Sequence, residues 1–211
     1  MLHNKVYITF YQTFGMVKIK PYFHIMRPQK VIDSDLLNGL MEVLRNKGYD
    51  GTTLNDLAER SGLKKASLYH RFPGGKQEIA TSVLQYVSEW LEVNLLQVLT
   101  NTDLKPKVRL DTVLKNTNQI YAQGDKTCIL GAMCTSNALS FFRTDMQDNM
   151  NKWIDGFSAF GVELGLKPQQ AKDKAIKVLV LIQGSLVVAN TFDNTKVFQD
   201  ALKEIKTLYY K

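Results

Sequence analysis

Apolar residues recur at helical spacing along nearly the whole chain beyond residue 30. Leu36, Leu37, Leu40, Met41 and Leu44 share one face, which predicts a helix over residues 34–47 that Gly48 terminates. After a turn at 49–52, Thr53 is a good N-cap with Asp56 three positions on. It opens a short helix to about residue 60, with Leu54, Leu57 and Ala58 on its apolar side. Ser61-Gly62-Leu63 is a tight turn, a third short helix covers 65–72, and Pro73-Gly74-Gly75 breaks it. A long helix is predicted over 76–100, striped by Ile79, Val83, Val87, Trp90, Leu91, Leu95 and Val98. Beyond a break at 101–106, five more helices are expected at 107–123, 128–142, 145–164, 168–191 and 196–209. No strand-like alternation persists after residue 30, so the pattern predicts an all-α fold of about nine helices.

The pattern divides the chain into an extension at 1–30 without clear period, a unit at 31–100 and a second unit at 101–211. The extension mixes aromatics with lysines; a basic arm on DNA and a translation start at Met16 or Met26 both fit it. The chain of 211 residues is 45% hydrophobic and 22% charged, which excludes wholesale disorder. Its 2 cysteines exclude a disulfide scaffold or a cysteine-rich zinc module. Cys128 and Cys134, on one predicted helix, lie about 240° apart around its axis, so no bridge between them is expected. Buried inert thiols or a redox switch remain the readings. The longest apolar run, near 178–189, is interrupted by Gln183 and Ser185 and falls short of the roughly 20 residues of a membrane span. Residues 6–14 are too polar and aromatic for a signal peptide. A cytoplasmic protein without a membrane partner is therefore expected.

The net charge of +7 is unevenly spread. Residues 1–30 hold five basic residues and no acid, and residues 61–77 hold Lys64, Lys65, Arg71 and Lys76 and no acid. Such patches fit an anionic partner, nucleic acid first, although charge alone is equally consistent with a solvated face.

The three short helices, with their turn between the second and third, look like a helix-turn-helix. In that motif the third helix lies in the major groove, and it must be short, slim at its tip and free of acids. Lys65, Ala66, Ser67 and Tyr69 meet the requirement. The run Thr52-Thr53-Leu54-Asn55-Asp56-Leu57-Ala58-Glu59-Arg60-Ser61-Gly62-Leu63, followed by Ala66-Ser67-Leu68-Tyr69-His70-Arg71-Phe72 and Lys76, resembles the TetR/AcrR family of bacterial repressors. The similarity covers about residues 33–90. Phe72-Pro73-Gly74-Gly75-Lys76, one residue longer than the usual loop, resembles the LmrA/YxaF-type branch. Two positions depart from the family pattern: Lys64 replaces a usual Ser and Ala66 a usual Gly. Lysine cannot accept a hydrogen bond at a helix N-terminus and its charge opposes the dipole, a cost of about 1 kcal/mol that a bound phosphate would offset.

The resemblance implies a DNA-binding domain joined by the long helix to a C-terminal ligand-binding and dimerisation domain. Residue by residue, it implies that Thr53 caps its helix and touches phosphate, with Asn55 and Lys64 also at the DNA backbone. Lys65, Ala66 and Ser67 face base edges, Tyr69 offers its hydroxyl to phosphate, Arg71 takes a backbone-contacting place, and Lys76 binds phosphate. The implied partners are double-stranded DNA with a pseudo-palindromic operator, a small apolar effector and a second copy of the chain. Tyr121, Met133, Phe141, Phe142, Trp153 and Phe157 are large soft side chains suited to an adaptable apolar pocket, with Gln183 as a polar anchor; a dense core is the competing reading. Helix 168–191 is apolar nearly all round at its centre, so core on one side and a partner subunit on the other would cover it. The last helix, through Phe198, Leu202, Ile205 and Leu208, would complete a two-fold four-helix interface.

His70 reads as a surface residue. With His3 and His24 the other histidines, neither a metal site nor a cofactor is expected. No nucleophile–base pair or phosphate loop supports an enzyme. The leading expectation is a dimeric repressor released from DNA by its effector. The alternative is an effector-independent regulator or activator.

Overall fold

The apolar periodicity is realised as helices throughout residues 34–210, the part of the chain that the structure, a computed structural model, describes. The predicted extension at 1–30 lies outside the described residues. Helix α1 (Ser34–Gly51) is interrupted at Gly48, whose φ of 66° and ψ of 173° leave the helical region. Helices α2 (Leu54–Ser61) and α3 (Lys65–Arg71) follow, then α4 (Gly75–Leu91), a widened π turn (Glu92–Leu96) and α5 (Gln97–Thr100). Helices α6 (Pro106–Ile120), α7 (Ile129–Ala132), α8 (Ser136–Glu163), α9 (Pro168–Thr191) and α10 (Lys196–Tyr209) complete the order. No strand occurs among the described residues.

The helix boundaries differ from the sequence reading in two places. The helix expected at 128–142 stops at Ala132, while α8 begins at Ser136 and runs unbroken through 143–144 to Glu163. The polar Arg143 and Thr144 sit exposed on one side of α8 and do not end it. Cys128 and Cys134 therefore do not share a helix: Cys128 precedes α7 and is buried, whereas Cys134 lies in the break and is exposed. The long helix expected at 76–100 is likewise not uniform, because the π turn widens it. Asn94 Nδ2 donates to the Trp90 carbonyl (3.1 Å), and Asn116 Nδ2 of α6 donates to the Asn94 carbonyl (3.0 Å). These amides supply partners where the regular ladder is disturbed.

One buried cluster extends from Leu36 to Ile205, crossing the boundary expected at residue 100. Helix α4 is its spine: Ile79, Ala80, Val83 and Leu84 are fully buried, and α4 packs on both α1 and α8. The π turn meets α8 where Gly156 leaves room; a Cβ there would lie 2.8 Å from Leu95 Cδ2. Asn149 of α8, buried, donates to the Leu84 carbonyl of α4 at 3.3 Å.

By length and composition α9 does qualify as a membrane span, with a mean hydropathy of 1.3, contrary to the sequence reading. Yet Val178, Ile182, Leu186 and Ala189 bury one side of it among α8 and α10. Its opposite side exposes Ile176, Val180, Val187 and Val188, and Phe192 just beyond it is 73% exposed. Helix α10 differs from expectation: Phe198, Leu202 and Ile205 are buried within their own chain and Leu208 packs against the same core. What α10 turns outward is Lys196, Lys203, Glu204 and Thr207.

Arg109 fastens three helices. It is 1% exposed, donates from Nη1 to the Leu99 carbonyl (2.6 Å) and to Glu163 Oε2 (2.7 Å), and pairs through Nη2 with Glu163 Oε1. Its guanidinium also lies 5.4 Å from the Phe160 ring centre. Arg109 thereby holds the Glu163 carboxyl below its ordinary value. Because Glu163 is 39% exposed, solvent screens part of this pair. Arg109→Met leaves both the Leu99 carbonyl and Glu163 without the guanidinium. It is expected to cost about 2–3 kcal/mol at neutral pH, read by urea unfolding. A loss below about 0.5 kcal/mol would mean that the pair only fills space.

Candidate nucleic-acid interface

The N-terminus of α2 is built by Thr53 and Asp56. Thr53 Oγ accepts from the Asp56 N–H (3.2 Å) and donates to Asp56 Oδ2 (2.8 Å), while the Thr53 N–H donates to Asp56 Oδ2 (2.9 Å). This reciprocal box satisfies donors that helix formation strands. Lys47 of α1 donates to Asp56 Oδ1 at 2.6 Å, tying α1 to the start of α2. That bond, with the two from Thr53, holds the Asp56 carboxyl down at about 2. Asn55 beside it is exposed.

The turn into α3 depends on Gly62. Its φ of 65° is the left-handed conformation that side chains disfavour, and its N–H closes α2 on the Ala58 and Glu59 carbonyls. Lys64 then occupies the N-cap of α3 with no side-chain hydrogen bond to the helix, as lysine chemistry requires. Within α3 only Leu68 is buried, completely, and Phe72 follows it into the core at 1% exposure. Lys64, Lys65, Ala66 and Ser67 are all exposed, as is Tyr69 at 45%. The Tyr69 ring edge lies against Gly75, and Arg71 is half-buried. The structure thus brings Lys65, Ala66, Ser67 and Tyr69 together on one short helix, with Lys64 at its N-cap, in a segment that carries no acid. Such a helix, slim and cationic at its tip, can enter a major groove with its N-terminal residues at base edges.

Lys76 lies apart from that row. Its ammonium donates to the Tyr49 carbonyl at 2.9 Å and sits 4.4 Å from the Tyr49 ring centre. The N-terminus of α4 is also covered, because the Gly74 N–H donates to Glu78 Oε2 at 2.6 Å. A phosphate approaching Lys76 meets an ammonium already partnered by α1. Tyr49, which the pattern offers only as part of a turn, is thus an organising residue. Its ring stands edge-on to Phe142 of α8 at 5.0 Å, which ties the end of α1 to both α4 and α8.

Six of the seven residues expected to line an effector pocket fall into three groups. Tyr121 stands edge-on to Phe198 (5.8 Å) and donates to Cys128 Sγ (3.4 Å), which also accepts from Gln183 Nε2 (3.1 Å). Burial pushes the Tyr121 phenol well above its ordinary range. Phe142 and Phe141 pack with Tyr49, and Phe141 is 55% exposed. Trp153 stacks on Phe157, which meets Tyr209. Met133, Phe142, Trp153 and Phe157 are buried at 2% exposure or less, so these rings fill space against one another. A cleft of about 560 Å³ opens elsewhere, between α1, α4 and the end of α6, and none of the seven lines it. Among its lining residues is Arg45, which the sequence reading did not single out. The signal was present: a lone arginine four residues after Met41 on the apolar side of α1.

Residues 36–83 match the sequence model of bacterial regulatory proteins of the tetR family. The chain is 25% identical over 160 residues to the uncharacterized HTH-type transcriptional regulator YxaF of Bacillus subtilis (strain 168), spanning 74% of this chain and 83% of that protein. It is 24% identical over 165 residues to the HTH-type transcriptional regulator LmrA of the same organism, spanning 76% and 87%. A crystal structure of a TetR transcriptional regulator from Legionella pneumophila shares the fold, with a TM-score of 0.73 over 85% of this chain and 98% of that one at 17% identity.

The α1–α2 clamp has a signed pH signature. With the folded carboxyl of Asp56 held at about 2, its contribution to stability is present above the ordinary carboxylate range near pH 4 and is lost as pH falls toward 2. Asp56→Asn should therefore lose less stability than the parent between about pH 4 and 2, read by thermal unfolding at stepped pH. Parallel losses would mean that Lys47 and Thr53 do not favour the charged form.

Proposed function

We propose that this chain, a DNA-binding transcriptional regulator that belongs to the tetR family of bacterial regulatory proteins through residues 36–83, acts in the cytoplasm as a homodimeric repressor released from its operator by a small effector. The observation that carries the DNA contact is the exposed, acid-free set Lys64, Lys65, Ala66, Ser67 and Tyr69 on and just before a helix that buries only Leu68 of its own residues. Lys65, Ala66 and Ser67 read base edges. Lys64, Asn55, Tyr69 and Arg71 contact the backbone, with Thr53 shaping the α2 terminus among them and Lys76 adding charge from beside Tyr49. Repression follows if the bound protein occupies the promoter.

The exposed side of α9 supports the dimer. Ile176, Val180, Val187, Val188 and Phe192 recur at helical spacing and leave an apolar stripe that water penalises. A two-fold partner presenting the same stripe covers it. Two α3 helices in such a dimer must stand roughly 34–36 Å apart to enter successive major-groove faces of one duplex, and an effector acts by changing that spacing. One observation favours a second reading, an effector-independent regulator: the residues expected to line an apolar pocket pack as core.

Sedimentation equilibrium is expected to give twice the chain mass for the parent protein and one chain mass for Val187→Glu, whose carboxylates would oppose each other across the stripe. The monomeric variant should bind its preferred duplex at least tenfold more weakly. A dimeric Val187→Glu protein would remove α9 from the interface. Lys65→Ala is expected to relax base preference at one position by roughly 1–3 kcal/mol. Equal weakening on every sequence would make Lys65 a backbone contact.

A further inference from the structure

The cleft between α1, α4 and the end of α6 has the features of a built ligand site. Its volume of about 560 Å³ falls within the usual range for small-molecule sites. Tyr86, Val87 and Trp90 of α4 and Ile120 of α6 give it an aromatic and apolar side; Arg45 and Lys126 give it a cationic one. Arg45 and Lys126 share one acceptor: Arg45 Nη1 donates to Glu42 Oε1 (3.0 Å) and Lys126 Nζ donates to the same oxygen (3.1 Å). Glu42 is thus turned toward groups the protein already provides. Arg45 is 6% exposed, and its Nε is buried without any hydrogen-bond partner. A buried guanidinium N–H left unmade is a standing demand for an acceptor. With Arg60, the cleft holds three cations against Asp35 and Glu42, a surplus of one positive charge.

We propose that this cleft is the effector site and that it takes a small planar aromatic anion, its carboxylate or sulfonate accepting from Arg45 and its ring lying along Trp90 and Tyr86. The ligand class follows from the side chains: the cations lining the cleft outnumber its acids by one, and its apolar side is flat and aromatic. The location supplies the coupling. The lining residues come from α1 and α2, which carry α3, and from α4, α6 and the segment holding Lys126, so an occupant touches both the α3-bearing helices and the elements they pack on. An occupant that favours one spacing of α1 from α4 lowers duplex affinity, and duplex binding lowers affinity for the occupant by the same factor. This last step rests on the effector-released reading given above; the occupancy of the cleft does not.

The test uses the full chain and 2-naphthoate as probe, followed by calorimetry without DNA present. One saturable site per chain is expected, with the neutral analogue 2-naphthalenemethanol binding at least tenfold more weakly. Arg45→Met removes the donor at similar length and should weaken 2-naphthoate at least tenfold. Because Arg45 is buried, Asn38→Trp serves as the second variant: Asn38 is exposed, so the new ring obstructs the cleft without disturbing the core. It should abolish probe binding while thermal unfolding stays unchanged. Absent saturable binding, equal affinity for the neutral analogue, or full affinity in Asn38→Trp would each overturn the site. Saturating 2-naphthoate should weaken the preferred duplex at least fivefold in the parent and not in Asn38→Trp. Probe binding with no change in duplex affinity would overturn the coupling. A protein that binds the probe at this cleft but selects no duplex would instead overturn the repressor reading and leave the site standing.

Discussion

Helix α3 depends on an anchor that is very small. Helix α3 spans seven residues, too few to persist alone in water, and it buries only Leu68 from its own length. Phe72 adds a second hold where the helix ends, and the left-handed Gly62 fixes its entry. Everything else on α3 is then free to be polar, small or cationic, because none of it is needed for packing. That division explains why Lys64 can stand at an N-cap it does not satisfy. The local cost is borne by the core that α1, α2 and α4 build around Leu68 and Phe72, and a phosphate at that end would offset it.

The same economy makes the reader's helices depend on the junction with the rest of the chain. Helix α4 faces α1 on one side and α8 on the other, so the reader has no core of its own. Tyr49 sits where these elements meet, under the Lys76 ammonium and against Phe142. Asn149 reaches from α8 to the Leu84 carbonyl. Farther along, the π turn at Glu92–Leu96 loosens the helical ladder between two regular stretches, and two asparagine amides stabilise it. These contacts hold α4 at several points along its length. The proposed ligand cleft lies against the same helix, between it and α1.

Much of this architecture was legible in the sequence because the signals were local. Gly48, Gly62 and the Pro73-Gly74-Gly75 run punctuate amphipathic segments, and the Thr53/Asp56 spacing announces a helix start. The same logic failed where structure is decided by tertiary contact. Nothing at Met133-Cys134-Thr135 carries a breaking residue, yet the helix stops there. Arg143 and Thr144 resemble a break, yet they are an exposed patch on α8. The π turn has no sequence mark, because it is held by Asn116 from α6 and admitted by Gly156 from α8. Tyr121, Phe142 and Trp153 suit a pocket by their chemistry alone. Their partners Phe198, Tyr49 and Phe157 decide otherwise, and two of the three, Phe198 and Tyr49, are distant in sequence. Arg45 was visible as an arginine on an apolar face, but only the fold shows that its Nε lacks an acceptor.

The central claim is that the exposed row on α3 reads DNA sequence as one half of a two-fold reader. The most direct measurement is selection of bound sites from random duplex DNA by the purified protein at a stated salt concentration. Enrichment of an inverted repeat with half-sites about one helical turn apart is the predicted result. Retention that varies only with salt and enriches no sequence would contradict it, leaving backbone electrostatics as the whole of the interaction.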